Sequence, residues 1–170
     1  GSFGLHAMEF EAMARQKIPV VAVIGNDAAW TQIRRGQVQL YGVDPYWVSE
    51  AVKRVVDSGV DHIDLNSGCP SPKVTRRGGG GALPAHHVLF GNIVAAAVQA
   101  AGSVPVTVKM RKGIDDDNLT YLEAASAAAD AGVAAIALHA RTVEQLYSGS
   151  ADWQAIATLT FRPGRTTPAG

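Results

Sequence analysis

The sequence predicts an α/β fold of parallel strands, closed as a barrel or open as a sheet. From about residue 37 onward, short apolar runs alternate with stretches of helical period. The runs near residues 60–65, 104–110 and 133–139 are apolar at successive positions, as strands buried on both faces are. Glycine, proline and serine separate these runs from the helical stretches, which gives a β-loop-α repeat.

Taken in order, residues 37–41 form the first strand. Asp44-Pro45 supplies an N-cap and a first-turn proline, and Val48, Val52 and Val55 recur at helical spacing until Gly59 ends the helix. Residues 60–65 form the next strand and lead into a loop rich in Gly, Pro and Ser. A helix over 86–101 precedes the strand at 104–110, and a helix over 119–131, ended by Gly132, precedes the strand at 133–139. An amphipathic stretch covers residues 153–159. The Ala-rich tracts at 95–97 and 124–129 are read as closely packed helix. Residues 18–24 offer one more strand without a clear unit around it. Residues 161–170 suit neither helix nor strand and are expected to be a disordered tail.

Composition narrows the function classes. The chain has 170 residues, 47% of them hydrophobic and 18% charged, enough for one core. It is short of the roughly 200 residues that a complete eightfold barrel takes. Fifteen basic and fifteen acidic side chains cancel, so a polyanionic partner would need a local basic patch. A single cysteine excludes an internal disulfide and a multi-cysteine zinc site, and His6, His62, His86, His87 and His139 lack metal-ligand spacing. No metal is expected. No apolar run reaches the ~20 residues of a membrane span, and no leader pattern opens the chain. A cytoplasmic location is expected.

Parallel α/β folds collect their active sites at the carboxyl ends of the strands. The expected strands deliver Gln39 and Tyr41, Asn66 and Cys69, Lys109 and Arg111, and His139 and Arg141 to that edge. Cys69 sits between Gly68 and Pro70 in a tight loop, outside any apolar run. A thiol there serves either as a nucleophile, with a base such as His139, or as a general acid; a lone cysteine is otherwise a small buried hydrophobe. Lys109 ends an apolar strand, where an unpaired charge is costly to bury, so it is expected at the mouth of the site rather than snorkelling at the surface. Lysine beside histidine suits an anionic ring or a phosphate. Gly78-Gly79-Gly80-Gly81 reads as a phosphate-binding loop or, more simply, a hinge. Beside it, Lys73, Arg76 and Arg77 form a basic cluster suited to a phosphate backbone. Asp115-Asp116-Asp117 reads as a helix cap.

Several motifs then occur together. Val38-Gln39-Leu40-Tyr41-Gly42-Val43-Asp44-Pro45, Ile63-Asp64-Leu65-Asn66-Ser67-Gly68-Cys69-Pro70 with Lys73-Val74, Pro105-Val106-Thr107-Val108-Lys109-Met110-Arg111, His139-Ala140-Arg141-Thr142 and Tyr147-Ser148-Gly149-Ser150-Ala151-Asp152-Trp153 follow one another. As a set they resemble the bacterial tRNA-dihydrouridine synthases, most closely the DusB-like branch of high-GC actinobacteria. The resemblance covers residues 37–160 and leaves 1–36 unmatched. It implies a partial TIM (β/α)8 barrel of about four βα units, in which FMN, recharged by NADPH, reduces uridine in tRNA to dihydrouridine. By resemblance Cys69 is the catalytic proton donor, Gln39, Lys109 and His139 contact FMN, and Asn66, Arg111 and Arg141 contact the substrate. Lys73, Arg76 and Arg77 would meet the tRNA backbone. The strands that carry the flavin phosphate site in such enzymes, and the helical tRNA-binding domain, are not matched here. Two other readings stand beside this one: an FMN-dependent barrel oxidoreductase acting on a free pyrimidine or enone, and a catalytically inactive fragment.

Overall fold

A computed structural model of the chain describes residues 43–57 and 59–160, all within the compact unit Gln39–Gly170. The strands expected at 18–24 and 37–41, the latter with Gln39, and the tail expected at 161–170 lie outside the described residues.

Helix α1 (Pro45–Asp57) starts as its sequence predicts. The Asp44 carboxylate accepts the Tyr46 N–H at 2.9 Å, and the Asp44 carbonyl accepts the Val48 N–H at 3.1 Å. Strand β1 (Ile63–Ser67) leads through a short helix α2 (Pro72–Thr75) and a 3-10 helix (Gly80–Ala85) into helix α3 (His87–Ala101). Strand β2 (Val106–Arg111), helix α4 (Tyr121–Asp130), strand β3 (Ala135–His139) and helix α5 (Trp153–Thr160) follow. The strands form a 3-stranded parallel sheet in the order β1-β2-β3. Parallel strands alternating with helices, neighbours in sequence lying side by side, are arranged as consecutive units of a (β/α)8 barrel are.

All three described strands begin later than their apolar runs suggest. Pairing of β1 with β2 starts at Ile63↔Val106, immediately after Pro105, which has no N–H to give the ladder. The Pro105 carbonyl still accepts the Ile63 N–H at 3.0 Å. At the other end Asn66 and Ser67 are drawn into the strand because Lys109 and Met110 pair with them. Register therefore sets the strand ends, and hydrophobicity sets only their middles.

The core lies between the sheet and the helices. Val108 and Met110 of β2 are fully buried against Phe90 and Val94 of α3 and Ala124 and Ala128 of α4. Val106 joins Val52, Ile63, Ala97 and Ala101 in a second cluster that seats α1 on α3. The Ala-rich face of α4 lets the helix lie close to its neighbours, as expected from the sequence. Because side chains alternate along a strand, these contacts turn Thr107, Lys109 and Arg111 to the opposite face. Asp64 and Asn66 of β1, and Ala135, Ala137 and His139 of β3, stand level with them. Among the described residues that face is free of helices, and it carries the polar residues.

Candidate active site on the helix-free face of the sheet

The β1 strand ends in a turn built by its own side chain. Asn66 Oδ1 accepts the Gly68 N–H at 3.0 Å, and this fixes which end of the amide faces the turn. Cys69 follows, half-buried. Its carbonyl accepts the Gly81 N–H at 2.9 Å. Gly80 lies so close beneath it, at φ 55°, that a Cβ there would stand 2.6 Å from the Cys69 carbonyl oxygen. The Gly-rich run thus has a packing role beside Cys69 that its composition alone does not show. Its second half is a 3-10 helix pressed against the Cys69 turn, where only glycine leaves room.

Arg111, at the end of β2, is 2% exposed. Its Nε donates to the Gly68 carbonyl at 2.9 Å, and its Nη1 donates to the Thr142 and Leu146 carbonyls at 2.8 Å each. Its guanidinium carbon also lies 5.5 Å from the centre of the Tyr147 ring. The loop it grips is organised by a reciprocal pair: the Thr142 N–H donates to Gln145 Oε1 at 2.9 Å and the Gln145 N–H to Thr142 Oγ1 at 3.2 Å. Neighbouring Lys112 is also buried, its Nζ 3.3 Å from Asp116 and 3.4 Å from Asp152.

Lys109 is half-buried on the open face, one pleat below Arg111, and among the described residues no salt bridge holds its Nζ. His139 pairs in register with Arg111. Burial holds its imidazole below the usual pKa of 6.5, and the positive charges of Arg111, Lys109 and Arg141 push the same way. Arg141 donates from Nε to the Ser148 carbonyl at 3.1 Å and from Nη2 to the Gly149 carbonyl at 2.9 Å, and its Nη1 lies 3.4 Å from His139 Nε2. The Tyr147 ring stands 6.0 Å from that of His139. Lys109, Arg111 and Arg141 thus form one positively charged group around His139 at the strand ends, and Asn66 and the Cys69 turn border it through Lys109 and Arg111.

Lys73, Arg76 and Arg77 are exposed on and just after α2, and with Pro72 they line a surface cleft. Asp115 does not cap α4, which begins six residues later at Tyr121; its Oδ1 instead accepts the N–H groups of Asp117 and Asn118 and closes a local turn. Among the described residues no three or more of His, Cys, Asp and Glu come together as a metal site, and no helix is long and apolar enough to cross a membrane. Three features of the site escape a reading of residue types alone: the grip of Arg111 on backbone carbonyls, the close approach of Gly80, and the placing of Tyr147 between Arg111 and His139. Tyr147 belongs to a motif visible in the sequence, but no spacing tells which ring it will meet.

A family model described as dihydrouridine synthase matches residues 10–162. A probable tRNA-dihydrouridine synthase of Mycobacterium leprae (strain TN) is 59% identical over 125 residues, which are 72% of this chain and 33% of that protein. The tRNA-dihydrouridine synthase B of Pseudomonas aeruginosa is 42% identical over 122 residues, 72% of this chain and 36% of that protein. A probable tRNA-dihydrouridine synthase of Treponema pallidum (strain Nichols) is 40% identical over 154 residues, 88% of this chain and 44% of that protein. The chain spans about a third of the length of the mycobacterial relatives it matches.

Proposed function

The chain belongs to the dihydrouridine synthase family, and from that premise we propose that its helix-free face serves the FMN- and NADPH-dependent reduction of uridine in tRNA to dihydrouridine. On this reading residues 37–160 are a stretch of the catalytic barrel. The observation that carries it is the meeting of a half-buried thiol, a donor amide and a cluster of cations at adjoining strand ends.

The residues present suit a planar, anionic ring. Lys109 and the neighbouring guanidinium groups supply positive charge, and β3 contributes only Ala135 and Ala137 level with Thr107 and Lys109, so no bulky β3 side chain stands over that part of the face. Lys109 and His139, with Gln39 outside the described residues, would hold FMN. When bound, FMN would supply the hydride for carbon 6 of the uracil, drawn from NADPH.

The chain's own groups would do the rest. Cys69 Sγ would deliver a proton to carbon 5, saturating the ring's carbon–carbon double bond, and would regain that proton from solvent. Asn66 uses its carbonyl oxygen in the turn, so its Nδ2 hydrogens are the group left to meet a uracil carbonyl. Arg141 would face the substrate, and Arg111, buried with three N–H groups on backbone carbonyls, would stand behind it. Lys73, Arg76 and Arg77 form a cleft suited to phosphates, which favours tRNA over a free base. The target base must leave its stack to reach such a face.

Incubating the chain with FMN, NADPH and unmodified tRNA, and digesting the tRNA for mass spectrometry, tests the proposal. Dihydrouridine should form, and Cys69→Ala should abolish it while NADPH oxidation continues. Undiminished dihydrouridine in Cys69→Ala, or none with the unsubstituted chain, would contradict it.

A further inference from the structure

We propose that Arg111 is a positioning residue that locks the backbone of Cys69, acting through the Gly68 carbonyl. This rests on Cys69 being the reacting group of the site just described. The Gly68 carbonyl belongs to the peptide bond before Cys69, and the Cys69 carbonyl to the peptide bond after it. Arg111 Nε holds the first at 2.9 Å and the Gly81 N–H holds the second at 2.9 Å. With both flanking peptide planes fixed, the φ and ψ of Cys69 are fixed too, and only rotation about its Cα–Cβ bond remains to move the sulfur.

The other side of the guanidinium shows what the clamp is anchored to. Nη1 is shared between the Thr142 and Leu146 carbonyls, so one side chain from β2 joins the turn after β1 to the loop after β3. Leu146 has φ 51°, a left-handed conformation that a leucine adopts only where its surroundings hold it. A guanidinium 2% exposed is costly to bury, and here neutral carbonyls satisfy three of its N–H vectors. Such a fork of fixed directions is what arginine has and lysine lacks. A lysine would keep the charge and reach one of these carbonyls, leaving the others unheld.

Backbone and side-chain hydrogen exchange, followed by NMR on the whole chain, tests this without flavin or tRNA, so its failure is distinct from failure of the functional reading. In Arg111→Lys the Gly68 and Gly81 amides, which donate to Asn66 Oδ1 and the Cys69 carbonyl, should exchange at least about tenfold faster, because the turn that carries those bonds loses its charge-assisted anchor. The amides of α3, remote from the clamp, should exchange as before. Unchanged exchange at Gly68 and Gly81, or an equal rise throughout the chain, would overturn the proposal. The unsubstituted chain gives a second reading should the variant fail to fold. The Arg111 Nε–H should exchange far more slowly than that of exposed Arg77, and equal rates would overturn the proposal.

Discussion

Arg141 Nη1 lies 3.4 Å from His139 Nε2, and a guanidinium can only donate. In that contact His139 Nε2 accepts, so the ring is neutral and carries its proton on Nδ1. The lowered pKa of His139, from burial and then from Arg111, Lys109 and Arg141, agrees with that state.

The sign of the pH effect follows. Between the folded-state pKa and the unfolded value of 6.5 the unfolded chain binds the extra proton, so stability from this group is complete above 6.5 and declines as pH falls through that window. NMR titration should find the His139 midpoint below 6.5. An anion bound on this face should raise that midpoint, and by reciprocity should bind more tightly as the pH falls. A midpoint above 6.5 without ligand would contradict the arrangement.

Asn66 has two separable tasks. Asn66→Asp keeps an oxygen for the Gly68 N–H but removes the amide hydrogens, whereas Asn66→Ala removes both. Asn66→Asp should leave thermal stability nearly unchanged and weaken substrate binding. Asn66→Ala should also destabilise the turn by about 1 kcal/mol. Thermal denaturation together with KM for tRNA distinguishes the two.

Gly80→Ala tests the close approach beneath Cys69. The new Cβ would stand 2.6 Å from the Cys69 carbonyl oxygen on a backbone at φ 55°, so both contact and conformation oppose it. A loss on the order of 1–3 kcal/mol is expected. Gly78→Ala shares the positive φ, at 77°, but meets nothing within 4 Å, and should cost less. Denaturant unfolding of the pair separates collision from backbone strain.

Asp152 joins the buried Lys112 to the start of α5. Its carboxylate accepts the Ala155 N–H at 3.1 Å and faces Lys112 Nζ, and both contacts hold it below the usual carboxylate pKa. Its contribution is present above the unfolded-state pKa and lost as the pH falls through the folded value. Asp152→Asn keeps an acceptor for Ala155 and should lower the melting temperature less than Asp152→Ala does.

Much of this architecture was legible before any coordinates. Helical periodicity located α1, α3, α4 and α5 to within a residue or two, because their buried faces are written in Val, Phe, Ile and Ala. The strands were visible as apolar runs, but their ends depend on partners distant in sequence, which is why β1, paired with residues more than forty positions away, reaches Ser67. Cys69, Asn66, Lys109 and His139 stood out because reactive and polar groups ended successive strands. The grip of Arg111 did not, since an arginine in sequence reads as a surface or ligand contact, and only tertiary structure shows which carbonyls lie within its reach. The packing of Gly80 and Gly81 against Cys69 was hidden for the same reason.

On the proposed function, the cationic face of the sheet holds FMN. Titrating the chain with FMN and following the quenching of flavin fluorescence tests it most directly. Saturable binding is expected, which Lys109→Ala weakens by about tenfold, the loss of one charge-assisted contact, and Cys69→Ala leaves unchanged. No binding, or binding indifferent to Lys109, would contradict it.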